Sequence, residues 1–467
     1  MSSFGGAMGA DAYVFSPTTN AEIIAALTTA KEQNRRVVLR GAGRSYGDAS
    51  ILAESVAIDM TRYRAIIAFD SKSGVIHVQS GVTLDMIWKR ARPEGWWPPV
   101  VSGTANVTVG GAIAMNIHGK NQFKVGDFGE HVVALEVMDS NGNVHALTPD
   151  EDNFWAVIGG AGILGIVLSA KIQLARVPGG VLSVKAARCR DWADQFRCFE
   201  HFETEADYMV SWVDAFGGGR GLLHAANYQQ AENVTFGLDY QSMSPRVAKL
   251  FPKDQLWRIM RIFTNRAGMR YVNAVKFLLS SGAPAGNLSA AKTHEQTLAE
   301  FSFLLDSAPN WERAYDPARM IQFQSFVPAE AAKSIFPAQI SRLASERMEP
   351  FLAVMKRHRE DRGLLRHSVD GYSLALDFKV TEGNTARLHR VLNELTDDVL
   401  SAGGRFYLAK DSILTGEQFL RSVGKENWLK FREIRSQMDP ESRFGSALFD
   451  RITTSVPPAK PDAESPG

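Results

Sequence analysis

The chain has 467 residues, of which 45% are hydrophobic and 22% charged, with a formal net charge of +1. That length is enough for two domains with a large core, and the composition is that of an ordinary globular protein. The near-neutral charge, without a block of basic residues, gives no reason to expect a nucleic-acid partner. No window holds the roughly 18 apolar residues that a membrane span requires.

The two cysteines and the first residues of the chain carry little specific signal. Cys189 and Cys198 are not spaced as metal ligands, and two cysteines make no disulfide framework. Residues 1–10 lack the charged and apolar regions of a signal peptide. We therefore predict no metal site, and a location in the cytoplasm or peripherally at the inner membrane.

The first glycine-rich segment follows a predicted helix and strand. The helix begins near Thr19 or Asn20, and the strand Arg36–Gly41 runs into Gly41-Ala-Gly-Arg-Ser-Tyr-Gly-Asp48. A dinucleotide fingerprint of the Rossmann type is excluded, because the third glycine comes one position late and residues 49–60 end in a strand. Consecutive backbone N–H groups in such a turn can still bind a pyrophosphate. A purely structural turn is the alternative.

The second glycine-rich segment spans residues 101–121, after a predicted strand at 74–79 and a helix at 83–92. It sets Gly103, Gly110, Gly111 and Gly119 among small and β-branched residues. His118, Lys120 and Asn121 follow where the apolar run stops. Glycine permits close backbone approach, so this pattern suits a chain wrapped around a ligand. A tight turn beside a buried strand is the alternative.

The third glycine-rich segment, residues 159–165, leads into a predicted strand at 166–174. Before it, Asp139-Ser-Asn-Gly142 predicts a hairpin turn between strands at 131–138 and 144–147. Three such segments within the first ~175 residues favour one extended ligand held from several sides. Their spacing does not identify that ligand.

The middle of the chain is rich in aromatic residues. Residues 208–213 form a predicted strand, and residues 245–300 place bulky apolar side chains among Lys and Arg. That segment suits a basic amphipathic flap on a membrane surface or over a lipid-like substrate. An ordinary core helix with a solvated face is the alternative.

The last third contains two predicted strands that bear polar residues. In residues 321–327, Gln322 and Gln324 share one face, which indicates a lined cavity or a solvent face. Residues 371–380 form the next strand, and a helix at 384–400 begins with Asn384 as its cap. Lys410 then follows at the end of a strand, and residues 455–467 are predicted to be disordered.

These motifs together resemble the vanillyl-alcohol-oxidase-type FAD-linked oxidases over roughly residues 15–450. The resemblance rests on Gly41–Asp48, Ser102–Thr104, Thr108–Ala112, Ile117-His-Gly-Lys-Asn121, Gly159–Gly165 and Tyr407-Leu-Ala-Lys-Asp-Ser412. It implies an α+β, two-domain PCMH-type fold. The FAD domain would comprise residues 1–180 and a return segment at 402–454, with an antiparallel-sheet substrate domain at 181–401 between them.

The resemblance also implies the positions that hold the cofactor. The family's FAD contacts fall on Arg40, Gly41, Ala42, Gly43, Arg44, Ser45, Tyr46, Gly47, Asp48, Gly103, Thr108, Val109, Gly110, Gly111, Met115, Asn116, Ile117, His118, Ile166 and Tyr407. Relatives that link FAD covalently carry His where this chain has Arg44. Because a guanidinium is not expected to form that bond, we expect non-covalent FAD.

The substrate positions of the family fall on Lys120, Trp212, Gln322, Gln324, Lys356, Ser373, Ala375 and Lys410. Relatives have Asn at the position of Ser373 and Cys at Ala375. Since alanine has no thiol, chemistry that relies on that cysteine is absent here, and identical fine specificity does not follow.

By resemblance, the reaction is oxidation of the 2-hydroxyl of a polyprenyl-phosphoryl pentose, the first half of an epimerisation to arabinose that a separate NADH-dependent short-chain reductase completes. The predicted catalytic residues are Lys410 as base or charge partner, His118 as base or orienting group, and Tyr407. Lys120 and Lys356 would hold the substrate phosphate, unless both are solvated surface lysines. The alternatives are an FAD oxidase of a soluble sugar, alditol or aldonolactone, and a non-catalytic binding protein.

Overall fold

The computed structural model describes residues 1–229, 246–247, 251–288 and 291–454. The predicted disordered tail at 455–467 therefore lies outside the described residues, as does part of the basic-aromatic segment at 245–300.

The strands of the described residues are numbered along the chain. They are β1 (Ala12–Phe15), β2 (Val37–Arg40), β3 (Ser55–Asp59), β4 (Ile66–Asp70), β5 (Val75–Gln79), β6 (Trp96–Trp97), β7 (Val132–Met138), β8 (Val144–Leu147), β9 (Ile166–Gln173), β10 (Ala175–Arg176), β11 (Val181–Cys189), β12 (Tyr208–Val213), β13 (Gly221–Tyr228), β14 (Arg246–Val247), β15 (Phe251–Pro252), β16 (Ala283–Pro284), β17 (Thr293–Thr297), β18 (Arg319–Pro328), β19 (Leu352–His358), β20 (Gly371–Val380) and β21 (Arg405–Phe406).

The helices of the same part of the chain are numbered likewise. They are α1 (Asn20–Glu32), α2 (Leu84–Ala91), α3 (Val109–Ala114), α4 (Gln122–Val125), α5 (Asp152–Val157), α6 (Trp192–Phe202), α7 (Leu256–Phe263), α8 (Arg266–Leu279), α9 (Leu298–Ser302), α10 (Ala329–Ser345), α11 (Thr385–Ser401), α12 (Gly416–Val423), α13 (Lys425–Met438) and α14 (Ala447–Thr453).

Two sheets form from the first 173 residues. The parallel sheet has the order β1-β3-β2, and the antiparallel sheet has the order β4-β5-β9-β7-β8. The predicted start of α1 is confirmed, because the side chain of Thr19 accepts a hydrogen bond from the backbone N–H of Glu22. The predicted hairpin is confirmed too, since β7 and β8 pair antiparallel across Asp139–Gly142.

A larger sheet occupies the middle of the chain. Within the described residues it has nine strands in the order β16-β11-β13-β12-β19-β20-β18-β21, with β17 also paired to β11. All of its pairs are antiparallel except β11 with β16. Because β21 belongs to this sheet, the sheet extends past the predicted domain boundary at residue 402, and that boundary stays a prediction.

Alternation along the central strands gives this sheet two different faces. On β20, Tyr372 packs against Phe196 and Phe199 of α6, so one face is covered by a helix. Its neighbours Ala375 and Asp377 line a cavity on the opposite face. Since side chains alternate along a strand, one apolar face anchors the sheet while the other presents polar groups.

Two local predictions differ from the structure in detail. Asn384 is the N-cap residue of α11, as predicted, but its side chain makes no capping hydrogen bond to the helix; it accepts from the backbone N–H of Thr381 (2.8 Å) and donates to the carbonyl of Lys379 (2.9 Å). Lys410 is not at the end of a strand. It lies in a turn after β21, and its backbone N–H donates to the carbonyl of Tyr407 at 2.9 Å.

The described part of the basic-aromatic segment contains the helices α7 and α8. Both helices carry exposed apolar side chains, with Ile262 70%, Tyr271 65%, Leu278 68% and Leu279 81% exposed. These residues are interspersed with Arg258, Arg261 and Arg270 along the two helices. None of the helices among the described residues is both long enough and apolar enough to span a membrane.

Candidate active site

A cavity of about 770 Å³ lies between the N-terminal sheets and the face of the nine-stranded sheet that is opposite α6. All three glycine-rich segments contribute to its wall. The predicted cofactor residues that line it are Arg40, Gly41, Ala42, Gly43, Arg44, Ser45, Tyr46, Gly103, Thr108, Gly110, Gly111, Met115, Ile117, His118 and Tyr407. One elongated ligand can therefore contact all three segments at once.

The first loop has the geometry of an anion-binding turn. Gly43 has a φ of +63°, which favours glycine, and a Cβ at Gly41 would overlap the Thr108 hydroxyl. Among the described residues, no acceptor is found for the backbone N–H groups of residues 41–45. A run of free N–H groups lining a cavity is a site for a phosphate or pyrophosphate.

Gly47 and Asp48 are not among the residues that line the cavity, and both contact the C-terminal part of the chain; their predicted cofactor contact stays a prediction. A Cβ at Gly47 would overlap the carbonyl oxygen of Asp411. Asp48 forms a bidentate pair with Arg451 at 2.9 and 3.0 Å, and Arg451 also contacts Asp411 at 2.9 Å. These contacts fix the first loop to the turn that carries Lys410.

Three more predicted cofactor residues lie behind the cavity wall. Val109 and Ile166 are fully buried in the hydrophobic core. Asn116 has a φ of 43°, and its side-chain oxygen accepts from the backbone N–H of Gly129 at 2.9 Å. The neighbours Gly165 and Val167 line the cavity in place of Ile166. The predicted cofactor contacts of Val109, Asn116 and Ile166 therefore stay predictions.

The residues present fit FAD. The cavity is of a size typical of ligand pockets, and its glycine-rich wall lets the backbone approach closely. Ser80 lines the same wall, and within the described chain its buried hydroxyl has no hydrogen-bond partner. An unpartnered buried hydroxyl and the free N–H groups of the first loop both require polar atoms from a ligand.

Lys410 lies at the junction of the glycine-rich wall and the nine-stranded sheet. Its ammonium nitrogen is 3.5 Å from the ring centroid of Tyr46. Burial lowers the pKa of Lys410 to about 7, with Asp377 favouring the charged form and Lys356 opposing it. Lys410 can therefore change protonation state near neutral pH.

Asp377 was not predicted as a site residue, yet it lines the cavity beside Lys410. The side-chain amide of Gln322 donates to its Oδ1, and its Oδ2 has no hydrogen-bond partner among the described residues. Burial raises the pKa of Asp377 to about 6, with Gln322 and Lys410 acting in the opposite direction. Strand alternation in the sequence could have predicted this residue, because Asp377 follows Ser373 and Ala375 on the same face at a spacing of two.

His118 is held on both ring nitrogens. Its Nδ1 lies 3.5 Å from the ammonium of Lys356, and its Nε2 lies 3.2 Å from the side-chain amide of Gln324. Burial and the charge of Lys356 keep the pKa of His118 well below its usual value. Both neighbours are nitrogen donors and a neutral imidazole has one acceptor nitrogen, so His118 can accept from the Lys356 ammonium or from the Gln324 amide, but not from both.

Of the residues predicted to contact the substrate, all but one line the cavity, and the other lies behind the cavity wall. Lys120, Trp212, Gln322, Gln324, Lys356, Ala375 and Lys410 line the cavity. Ser373 does not, because it lies behind Gln324, with its hydroxyl 3.3 Å from that amide and 2.8 Å from His358 Nε2. Ser373 is therefore placed to orient Gln324, and the predicted direct contact with substrate is not supported by its position.

The ammonium of Lys120 already donates hydrogen bonds to the backbone. Its ammonium donates to the carbonyl of Phe301 and, at 3.2 Å, to that of Ser302. Burial lowers its pKa well below the ordinary value for lysine, and the charge of Lys356 adds to that effect. It remains on the cavity wall with part of its surface open.

A buried acidic cluster lies behind Tyr407. Asp127, Asp361 and His367 place potential ligand atoms within 4.8 Å of one another. Asp361 accepts from the backbone N–H groups of His367 and Ser368, both at 3.0 Å. Burial and the neighbouring carboxyl Asp361 raise the pKa of Asp127 well above its ordinary value. These residues were not predicted, because Asp127 is distant in sequence from Asp361 and His367.

Comparison with known proteins gives the class. A family model described as an FAD binding domain matches residues 11–148. Berberine bridge enzyme-like 12 of Arabidopsis thaliana is 31% identical over 171 residues, which cover 35% of this chain and 32% of that protein. Together with the cavity, these matches define an FAD-dependent oxidoreductase with a PCMH-type cofactor domain.

The particular family follows from longer matches. The chain is 33% identical over 453 residues to decaprenylphosphoryl-beta-D-ribose oxidase of Mycolicibacterium smegmatis, covering 93% of each chain. An uncharacterized protein of Streptomyces coelicolor is 27% identical over 381 residues, which cover 79% of this chain and 100% of that protein. The chain belongs to the decaprenylphosphoryl-β-D-ribose oxidase family.

Proposed function

We propose that this protein oxidises the 2-hydroxyl of a polyprenyl-phosphoryl pentose to a ketone, with non-covalent FAD as the oxidant. The observation that carries the proposal is that Lys410, Gln322 and Gln324 line the same cavity as the glycine-rich loops, in a chain of this family. The product would be the substrate of an NADH-dependent short-chain reductase that completes an epimerisation to arabinose.

Bound FAD supplies the redox chemistry by accepting the hydrogen and two electrons of the carbinol carbon. The protein must hold the sugar and take the hydroxyl proton. Lys410 is the base, because a pKa of about 7 leaves half of it neutral at pH 7. Gln322, held by Asp377, and Gln324 orient the sugar hydroxyls from the sheet.

His118 and Tyr407 have supporting positions in this mechanism. The low pKa of His118 leaves its ring neutral, so it orients neighbouring groups by hydrogen bonding and is a poor proton acceptor. Tyr407 lines the cavity 5.1 Å from the His118 ring, centroid to centroid, and packs on His367 at 4.3 Å. It holds the histidine in place at the cofactor side of the cavity.

The basic-aromatic helices support a lipid-bearing substrate. We include in the proposal a peripheral membrane contact through residues 245–300, since α7 and α8 expose apolar side chains beside arginines. A soluble sugar, alditol or aldonolactone oxidase remains the second candidate function. For such an enzyme these helices would have no lipid to contact.

The test is a visible absorption spectrum of the purified protein before and after acid precipitation, followed by anaerobic addition of farnesylphosphoryl ribose. Flavin in the supernatant and bleaching by this substrate are expected. Flavin that stays with the pellet would contradict non-covalent binding at the Arg44 loop. Bleaching by a free alditol or aldonolactone, but not by the phosphoryl sugar, would favour the second candidate.

A further inference from the structure

Basic side chains continue along the cavity beyond the predicted substrate residues. Lys276 of α8 and His224 of β13 both line it, together with Lys120. Among the described residues, none of these three side chains lies within ion-pair distance of a carboxylate. Basic groups that converge on a cavity without acidic partners form a site that an anion would stabilise.

Lys276 reaches the cavity from outside the sheet. Lys276 is an exposed residue of α8, and its ammonium is 4.1 Å from the ring centroid of Trp212. Asp214, which favours the charged form of Lys276, already pairs with Arg220 at 2.9 Å and accepts from Asn273 at 3.0 Å. Its negative charge is therefore largely satisfied within the protein.

His224 lies close to several other basic side chains. Burial, followed by the charges of Lys276, His294 and Lys120, lowers its pKa to about 4. Without an anion, protonation of His224 is thus strongly opposed. A bound phosphate would relieve that repulsion, favour the charged forms of these groups and accept hydrogen bonds from all three side chains.

The distance from the basic side chains to the proposed sugar site matches the size of the substrate. β12 lies between β13, which carries His224, and β19, which carries Lys356. Two strand spacings amount to about 10 Å, which is comparable to the length of a pentose 1-phosphate. A sugar held at Gln324 and Lys410 would therefore direct its phosphate toward α8.

We infer that Lys276, with His224 and Lys120, binds the phosphodiester of the substrate, and that the lipid chain leaves the cavity along α8. The inference rests on the proposed function for the identity of the sugar, while the anion site itself does not depend on it. Leu278 and Leu279, at the end of α8, are 68% and 81% exposed and would contact the first isoprene units. Lys356, whose ammonium lies beside His118, then contacts the sugar rather than the phosphate.

The test compares Lys276→Met with Arg270→Met, a matched control that removes an exposed cation from the same helix. For farnesylphosphoryl ribose, K276M is expected to raise KM by about 10- to 100-fold with kcat within about twofold, because one charged hydrogen bond is lost. The KM for a neutral farnesyl riboside should not change. K276R should restore most of the affinity, and R270M should match the wild type.

Binding of farnesyl phosphate, measured by calorimetry on the FAD-loaded protein, separates this inference from the proposed function. The wild type should bind farnesyl phosphate more tightly than farnesol, and K276M should lose that preference. Equal binding of farnesyl phosphate by K276M and wild type would overturn the anion site. If the wild type binds farnesyl phosphate but is not bleached by the phosphoryl sugar, the site stands and the proposed reaction fails.

Discussion

Replacement of Lys410 tests whether a neutral lysine removes the hydroxyl proton. The pKa of Lys410 is lowered from 10.5 to about 7, and that shift corresponds to about 5 kcal/mol against the charged form. The rate of anaerobic flavin bleaching by substrate should therefore rise with pH and level off above about pH 8. Stopped-flow absorbance measures this rate directly.

Two substitutions at this position distinguish a base from a fixed charge. Lys410→Met removes both functions and should slow bleaching by about 10²- to 10⁴-fold. Lys410→Arg keeps the positive charge but cannot release its proton near neutral pH, so it should be as slow as K410M. A K410R protein with near wild-type bleaching, or a wild-type rate independent of pH, would refute the base assignment. The FAD content of each variant is the control.

The neighbours of Lys410 predict opposite shifts of the pH profile. Asp377 favours the charged lysine, so Asp377→Asn should move the inflection to lower pH. Lys356 opposes the charged lysine, so Lys356→Met should move the inflection to higher pH. Shifts in the same direction for both variants would show that the inflection belongs to another group.

Three further predictions concern stability and accessibility. Burial raises the pKa of Asp361 to about 6 and that of Asp127 above its ordinary value. Ionisation of these two carboxyls therefore lowers the stability of the folded state as pH rises from about 4 to above 6. Asp127→Asn should thus stabilise the protein by about 1–3 kcal/mol at pH 8 and by much less at pH 4, as measured by denaturant unfolding. A loss of stability in this variant, together with a divalent metal in the wild type, would contradict the assignment of Asp127 as a destabilising buried carboxyl. Gly47→Ala should lower the FAD content of the purified protein, because the added methyl displaces the first loop from Asp411; full FAD retention would refute that contact. Cys189 and Cys198 are fully buried with sulfur atoms 3.6 Å apart, so a thiol reagent should modify them only after unfolding, and rapid labelling of the native protein would exclude this packing.

Local patterns were sufficient for much of the fold and for the wall of the cavity. The strand at residues 371–380 is confirmed with the bounds that were predicted, and Gln322 and Gln324 share the cavity face. Alternation reports which face a residue occupies, so both features can be derived from a few neighbouring residues. Asp377 could have been found by extending the same alternation.

Contacts between distant parts of the chain could not be derived in this way. The glycine-rich pattern is the same whether a loop residue touches a cofactor, as expected for Gly43, or another loop, as for Gly47. Only the pairing of Asp48 with Arg451, 403 residues away, separates the two cases. The cluster of Asp127 and Asp361 depends on a similar long-range approach.

The attachment of the first loop to the Lys410 turn also affects when the cofactor site can form during synthesis. The backbone N–H of Tyr46 donates to the carbonyl of Ala409, and Arg451, which pairs with Asp48, lies still further along the chain. At about 5–20 residues per second, the ribosome adds the intervening residues in roughly 20–80 s. Until then the glycine-rich loop exists without the residues that fix it, so we expect the complete cofactor site to form only after nearly the whole chain has been synthesised.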